Sequence, residues 1–137
     1  MLLCMDTALA GLSVALCDGD AVIAERHVIL GRGHAEAVIP VVAEVMAAAG
    51  VAMPDAIVVD IGPGSFTGLR IGIAAARALG LGWGVPVTGM RATDLVAAVL
   101  VVAGREVGVG VTAHGIHAAQ PEAFEHGHAA AGVLEHP

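Results

Sequence analysis

The chain has 137 residues, 57% of them hydrophobic, and a formal net charge of −7; that is enough for one compact domain with its own core and too little for two full ones. Its six cationic residues are all arginine, which excludes a Walker-type phosphate loop and any Schiff-base lysine, and no basic run is present to neutralise nucleic-acid phosphates. Apolar stretches stop short of the roughly 20 residues a spanning helix needs: 95–104 is too short, and 71–90 carries Arg77, interior glycines and Pro86. Asp6 falls where a signal peptide would need its apolar stretch, so a soluble, cytoplasmic protein without an export signal is expected. Three aromatic residues, none of them tyrosine, offer no platform for stacking bases. Cys4 and Cys17 read as two buried, reduced thiols rather than a disulfide.

In chain order, Leu2 to Asp6 is a short apolar run. Leu12 to Cys17 alternates large and small residues, which predicts a strand, and Asp18-Gly19 is a hairpin turn signal leading to a third strand, Ala21 to Val28. These three read as an antiparallel meander. Gly31-Arg32-Gly33 breaks the pattern, and His34 to Ala49 predicts a helix stopped by Gly50, with Pro40 kinking it or marking its true start. Ala56 to Val59 reads as a buried strand, Gly62 to Ser65 as a tight loop, Phe66 to Leu81 as a second helix and Val85 to Thr88 as a further strand. Thr93 to Val102 predicts a third helix. The order βββαβαβα is that of a ribonuclease-H-like, actin-like (ASKHA) α/β domain. Residues 1–103 form this first lobe, and 104–137 are expected to be a truncated remnant of a second, with a strand over Glu106 to Thr112 and a turn at Ala113-His114-Gly115.

Both helices are more apolar than a helix on a sheet requires. In the first, Ala35, Val38, Ile39, Val42, Val45, Met46 and Ala49 make a full stripe that Val41 and Ala37 extend, and Glu36 and Glu44 are its only charges. In the second, Gly68, Gly72, Ala76 and Gly80 form a line of small residues at spacing four, which lets another backbone come close. That backbone can belong to the chain's own sheet or first helix, or to a partner. Two helices apolar nearly all round favour a partner, and the expected interface comprises Val38, Val41, Val45, Gly68, Leu69, Gly72 and Ala76.

A strand, a glycine-rich turn and a helix also make a generic anion-binding geometry. Here the dinucleotide pattern fails at Thr67 and the nucleophile-elbow pattern fails at Pro63, while Ser65 or Thr67 can simply cap the helix. The stretch Gly62 to Gly72, GPGSFTGLRIG, resembles the signature of the TsaB/YeaZ family. So do Met5-Asp6-Thr7 with Leu12 to Leu16, Gly31 to Glu36 with Ile39-Pro40, and Gly84 to Val87. The likeness covers residues 1 to about 103 and fades beyond.

The resemblance implies a non-catalytic scaffold subunit in tRNA threonylcarbamoyladenosine modification. Such proteins pair with a TsaD-like catalytic subunit of the same fold, joined by a TsaE-like ATPase, and self-associate through the same helical surface when alone. It implies no cofactor, no metal and no direct nucleic-acid binding. The alternative is an active nucleotide- or metal-dependent enzyme of the actin-like superfamily, an M22-type peptidase or a kinase. Against a peptidase, Gly89 to Asp94 contains no histidine where TsaD-like relatives carry a metal-binding pair, and His34 stands alone. Asp6 and Asp60 end two neighbouring strands; Asp6, Thr7, Gly64 and Ser65 are the residues expected at any vestigial anion or nucleotide contact. The tail histidines, His114, His117, His126, His128 and His136, lack the four-ligand spacing of a structural metal site.

Overall fold

The computed structural model describes residues 1–94, 108–112 and 115–119. The meander forms as expected: β1 (Leu2–Asp6), β2 (Gly11–Asp18) and β3 (Ala21–Ile29) pair antiparallel, with Cys4 opposite Ala15 and Ser13 opposite His27. β4 (Ala56–Asp60) joins parallel to β1, and β5 (Val87–Met90) parallel to β4, giving one mixed sheet in the order β3-β2-β1-β4-β5. The parallel pairs need crossover helices, and the chain supplies α1 (His34–Ala49) and α2 (Phe66–Trp83). This is an actin-like α/β lobe. A separate two-stranded ribbon pairs β6 (Gly108–Thr112) with β7 (Gly115–Ala119). Residues 92–94 are helical, and the rest of the expected third helix lies outside the described residues, as do most of the tail and four of its histidines.

The alternation read in the sequence decides which face is covered. Leu3 and Met5 of β1, Leu12, Val14 and Leu16 of β2, and Ile57 and Val59 of β4 all point to one face and are at most 3% exposed. Both helices lie there, α1 over β2 and β3, α2 over β4, β1 and β5. Each fully buried Leu or Ile contributes about 1.5–3 kcal/mol. The other face carries Cys4, Asp6, Ser13, Ala15 and Val58, which are half-buried.

Two expectations change in detail. β5 begins two residues later than predicted, because α2 runs on to Trp83 and its end is closed by Gly84 at φ +70, with Val85 N–H donating to the Gly80 carbonyl. Pro40 neither starts nor ends α1 but sits inside it, leaving the Glu36 carbonyl without its helical donor.

The small-residue line of α2 faces the chain's own sheet. A Cβ on Gly68 would run into the Thr7 carbonyl oxygen, one on Gly72 into the Thr7 hydroxyl, and one on Gly80 into the Val87 side chain. Ala76 is fully buried. On α1, Val38, Val41 and Val45 are likewise core residues, 2%, 6% and 2% exposed. The residues chosen from sequence as an interface are therefore those that hold the helices onto the sheet, with Leu69 half-buried beside them. The outward faces are different residues: Ile39, Ala43 and Ala47 on α1, Phe66, Arg70, Ala74, Arg77 and Leu81 on α2. Of these, Ile39 was expected in the core stripe, and it is 46% exposed.

Candidate functional site

The C-terminal ends of β1 and β4 meet the glycine loop at one edge of the sheet. Because Met5 pairs with Val59 in parallel register, the next residues, Asp6 and Asp60, stand side by side. Both lie on the face away from the helices, in a cavity of about 660 Å³ lined also by Cys4, Ser13, His27 and Val58. Asp6 Oδ1 accepts from Ala8 N–H at 2.8 Å. Asp60 Oδ1 accepts from Gly62 N–H at 2.8 Å and Ala92 N–H at 3.2 Å, so this carboxylate ties β4, the glycine loop and the helical residues 92–94 that follow β5 together. Asp60 Oδ2 is buried with no partner among the described residues.

Burial pushes the Asp6 carboxyl above the usual range, and the neighbouring Asp60 carboxyl pushes the same way, against the Ala8 N–H, which favours the charged form. The arrangement is a pair of neighbouring carboxyls. With both ionised it could ligate a divalent cation, for which two carboxylates are too few by themselves. Among the described residues no group of three metal-ligating side chains comes together. Burial, and secondarily Cys17 nearby, pushes the Cys4 thiol up to about 11, so it is a poor nucleophile.

The other residues singled out in the loop are engaged internally. Thr7 is 1% exposed and its hydroxyl donates to the Gly68 carbonyl at 2.7 Å, pinning α2 to the end of β1. Gly64 lies against Ala8, with 2.6 Å between the Ala8 Cβ and the place a Gly64 Cβ would take, and Ser65 N–H donates to the Ala8 carbonyl at 2.6 Å. The close approach that glycine permits here is to the chain's own backbone. Ser65 caps α2, its Oγ accepting from Gly68 N–H at 3.3 Å. Of the four residues expected at an anion contact, Asp6 and Ser65 line different cavities, Gly64 is exposed and Thr7 is buried.

A smaller cavity was not legible from the sequence. About 230 Å³ in volume, it lies between the N-terminal ends of α1 and α2 and is lined by Leu9, Arg32, His34, Glu36, Ser65 and Thr67, among others. His34 is 8% exposed and its Nε2 is buried without a partner among the described residues. The signal that could have found it is the pairing of Arg32 with a histidine at the first position of an uncapped helix.

Sheet order, paired strand-end carboxyls and glycine loop define the class as one lobe of an actin-like protein. Residues 28–117 match the model of the family "TsaD: tRNA N6-adenosine threonylcarbamoyltransferase", and the chain belongs to that family. It is 41% identical over 83 residues to a tRNA N6-adenosine threonylcarbamoyltransferase of Corynebacterium diphtheriae, covering 53% of this chain and 24% of that protein. It is 36% identical over 91 residues to the Escherichia coli tRNA threonylcarbamoyladenosine biosynthesis protein TsaB, covering 65% of this chain and 39% of that one. The solved structure of YeaZ from Pseudomonas aeruginosa superposes with a TM-score of 0.68 at 31% identity, over 79% of this chain and 53% of the other. The TsaB/YeaZ resemblance read from the glycine loop is borne out. The chain spans less than two fifths of the length of these curated relatives.

Proposed function

We propose that this chain takes part in forming threonylcarbamoyladenosine in tRNA, as a non-catalytic scaffold that pairs with a TsaD-like catalytic subunit. The observation that carries the reading is the family match over residues 28–117 together with the likeness to TsaB. Two features of the lobe support a scaffold over a catalyst. Burial, and Asp60 beside it, raise the Asp6 carboxyl above its usual value, Thr7 is turned to internal packing, and the Cβ side of Gly64 lies against Ala8. The partner meets the outward faces of α1 and α2, where Ile39, Phe66 and Leu81 are 46%, 74% and 87% exposed. In this reading a TsaE-like ATPase joins the pair, and the chain dimerises through the same faces when alone.

The test is complementation of cells depleted of the full-length homologue, read as the modified nucleoside in bulk tRNA, with co-purification of the TsaD-like subunit alongside. Restored modification and a stable complex are expected. Absence of both would overturn the proposal. The paired carboxyls favour one second reading, a cation-dependent actin-like enzyme; ATP turnover by the purified chain, abolished by Asp6→Ala, would establish it instead.

A further inference from the structure

β3 is the outermost strand of the sheet, and among the described residues no strand pairs with its free edge. It is 9 residues long, Ala21–Ile29, longer than the roughly five to six of an ordinary strand. An unpaired edge is a row of backbone donors and acceptors that another strand can complete, and proteins guard it with short strands, lysine or proline. AVIAERHVI contains neither lysine nor proline. Its large apolar side chains are left open: Val22, Ile23 and Ile29 are 56%, 44% and 70% exposed.

The residues along this edge are complementary to themselves. Residues directly opposite in an antiparallel pair share one face of the sheet. Glu25, His27 and Ile29 lie opposite Ala15, Ser13 and Gly11 of β2, so all three stand on the face away from the helices. Two copies of β3 related by a two-fold axis through Arg26 set Glu25 against His27, Ala24 against Val28 and Ile23 against Ile29, each twice. An axis through Glu25 would face two carboxylates, and one through Ala24 or His27 would set Glu25 against Ile23 or Ile29. His27 suits a carboxylate: Ser13 Oγ is 2.7 Å from Nδ1, and when the hydroxyl donates there Nε2 carries the ring proton outward. One pair opposes. The two Arg26 side chains meet at the axis on the helix side, but Arg26 Nε is held 3.4 Å from Glu44 Oε2 of its own α1, so two carboxylates accompany the two guanidiniums. The register shift between Val22 and Ala24 confines regular pairing to Ala24 through Val28, with Ile23 and Ile29 beyond its ends.

We propose that the chain pairs with a second copy of itself along β3, antiparallel and centred on Arg26, so that two five-stranded sheets become one continuous sheet. The pairing uses β3 with Glu44 and none of the outward residues named on α1 and α2. It is therefore a contact separate from the helix-face association of the functional reading, and either can fail without the other.

The experiment follows the full chain over a concentration series at physiological salt, by sedimentation equilibrium and by amide hydrogen exchange read with mass spectrometry. It is run on wild type and on Leu81→Glu, which removes helix-face association. In both, a concentration-dependent dimer is expected, with the amides of 22–29 gaining protection as it forms. Ile29→Lys, at a position 70% exposed, should keep the melting temperature of the monomer. It should weaken the dimer about tenfold, because the lost cross-strand contact occurs twice about the axis. His27→Glu, which faces two carboxylates across the axis, should weaken it similarly. Adding Glu25→His to that variant exchanges the two residues, keeps their complementarity and should restore the dimer; a merely structural role for His27 would give no rescue. A monomer at every concentration in the Leu81→Glu background, exchange at 22–29 that does not change with concentration, or a dimer indifferent to both Ile29→Lys and His27→Glu overturns the proposal.

Discussion

Asp6 shows how one residue reads differently once its neighbours are known. By sequence it is a strand terminator that caps a turn, and the Ala8 N–H contact agrees. Its second property comes from Asp60 beside it, with burial the larger cause: a carboxyl whose pKa is raised above 3.8 in the folded chain. The sign follows from linkage. The folded state binds the proton more tightly than the unfolded one, so Asp6 contributes stability that is fully present below the unfolded value and is lost as pH rises through the folded value. Urea unfolding from below pH 3.8 upward should therefore show wild type losing stability relative to Asp6→Asn as pH increases. A constant difference between the two proteins across that range would show that Asp60 and burial do not act on Asp6. The pairing of the two strand ends was legible in the sequence; the degree of burial was not, because it depends on what packs over the edge.

At the scale of elements, α2 has an inward line of Gly68, Gly72, Ala76 and Gly80 and an outward face of Phe66, Arg70, Ala74, Arg77 and Leu81. Apart from Arg70 and Arg77 both are apolar or small, so the 3.6-residue period located the helix and left only two charges to orient it. Packing orients it through size. The Gly68, Gly72, Ala76, Gly80 line is the only side thin enough to lie against Thr7, Val59 and Val87. Gly72→Leu should accordingly overpack the core, costing about 1–3 kcal/mol despite the better helix propensity of leucine. Leu81→Glu, at a position 87% exposed, should leave stability within about 0.5 kcal/mol and instead weaken association with the TsaD-like subunit. Thermal unfolding and co-purification of the two variants give opposite patterns if the orientation is right. Equal melting temperatures for wild type and Gly72→Leu would contradict it. The same ambiguity explains α1, where Ile39 looked interchangeable with Val38 and Val41 and turned out to face outward.

For the whole molecule the charge sets the expectation. A net charge of −7 and six dispersed arginines should give no useful tRNA affinity for the chain alone at physiological salt. A binding assay with unmodified tRNA checks this, with and without the TsaD-like subunit. Affinity should appear only with the subunit present. Micromolar binding by the chain alone, falling steeply with salt, would contradict it.

The sequence by itself determined the order of the sheet strands and of α1 and α2, the antiparallel meander, the family and the inward faces of the strands. Those rest on local signals, namely period-two alternation, apolar runs bounded by glycine turns, and the unbroken GPGSFTGLRIG stretch. Only the tertiary structure decided which face of each helix is inside, that Thr7 and Gly64 serve packing, and that Arg32, His34 and Thr67 surround one cavity. These depend on distances between residues far apart in the chain, and helices apolar on most sides carry few local marks, here Glu36 and Glu44 on α1 and Arg70 and Arg77 on α2, of the direction in which they are buried.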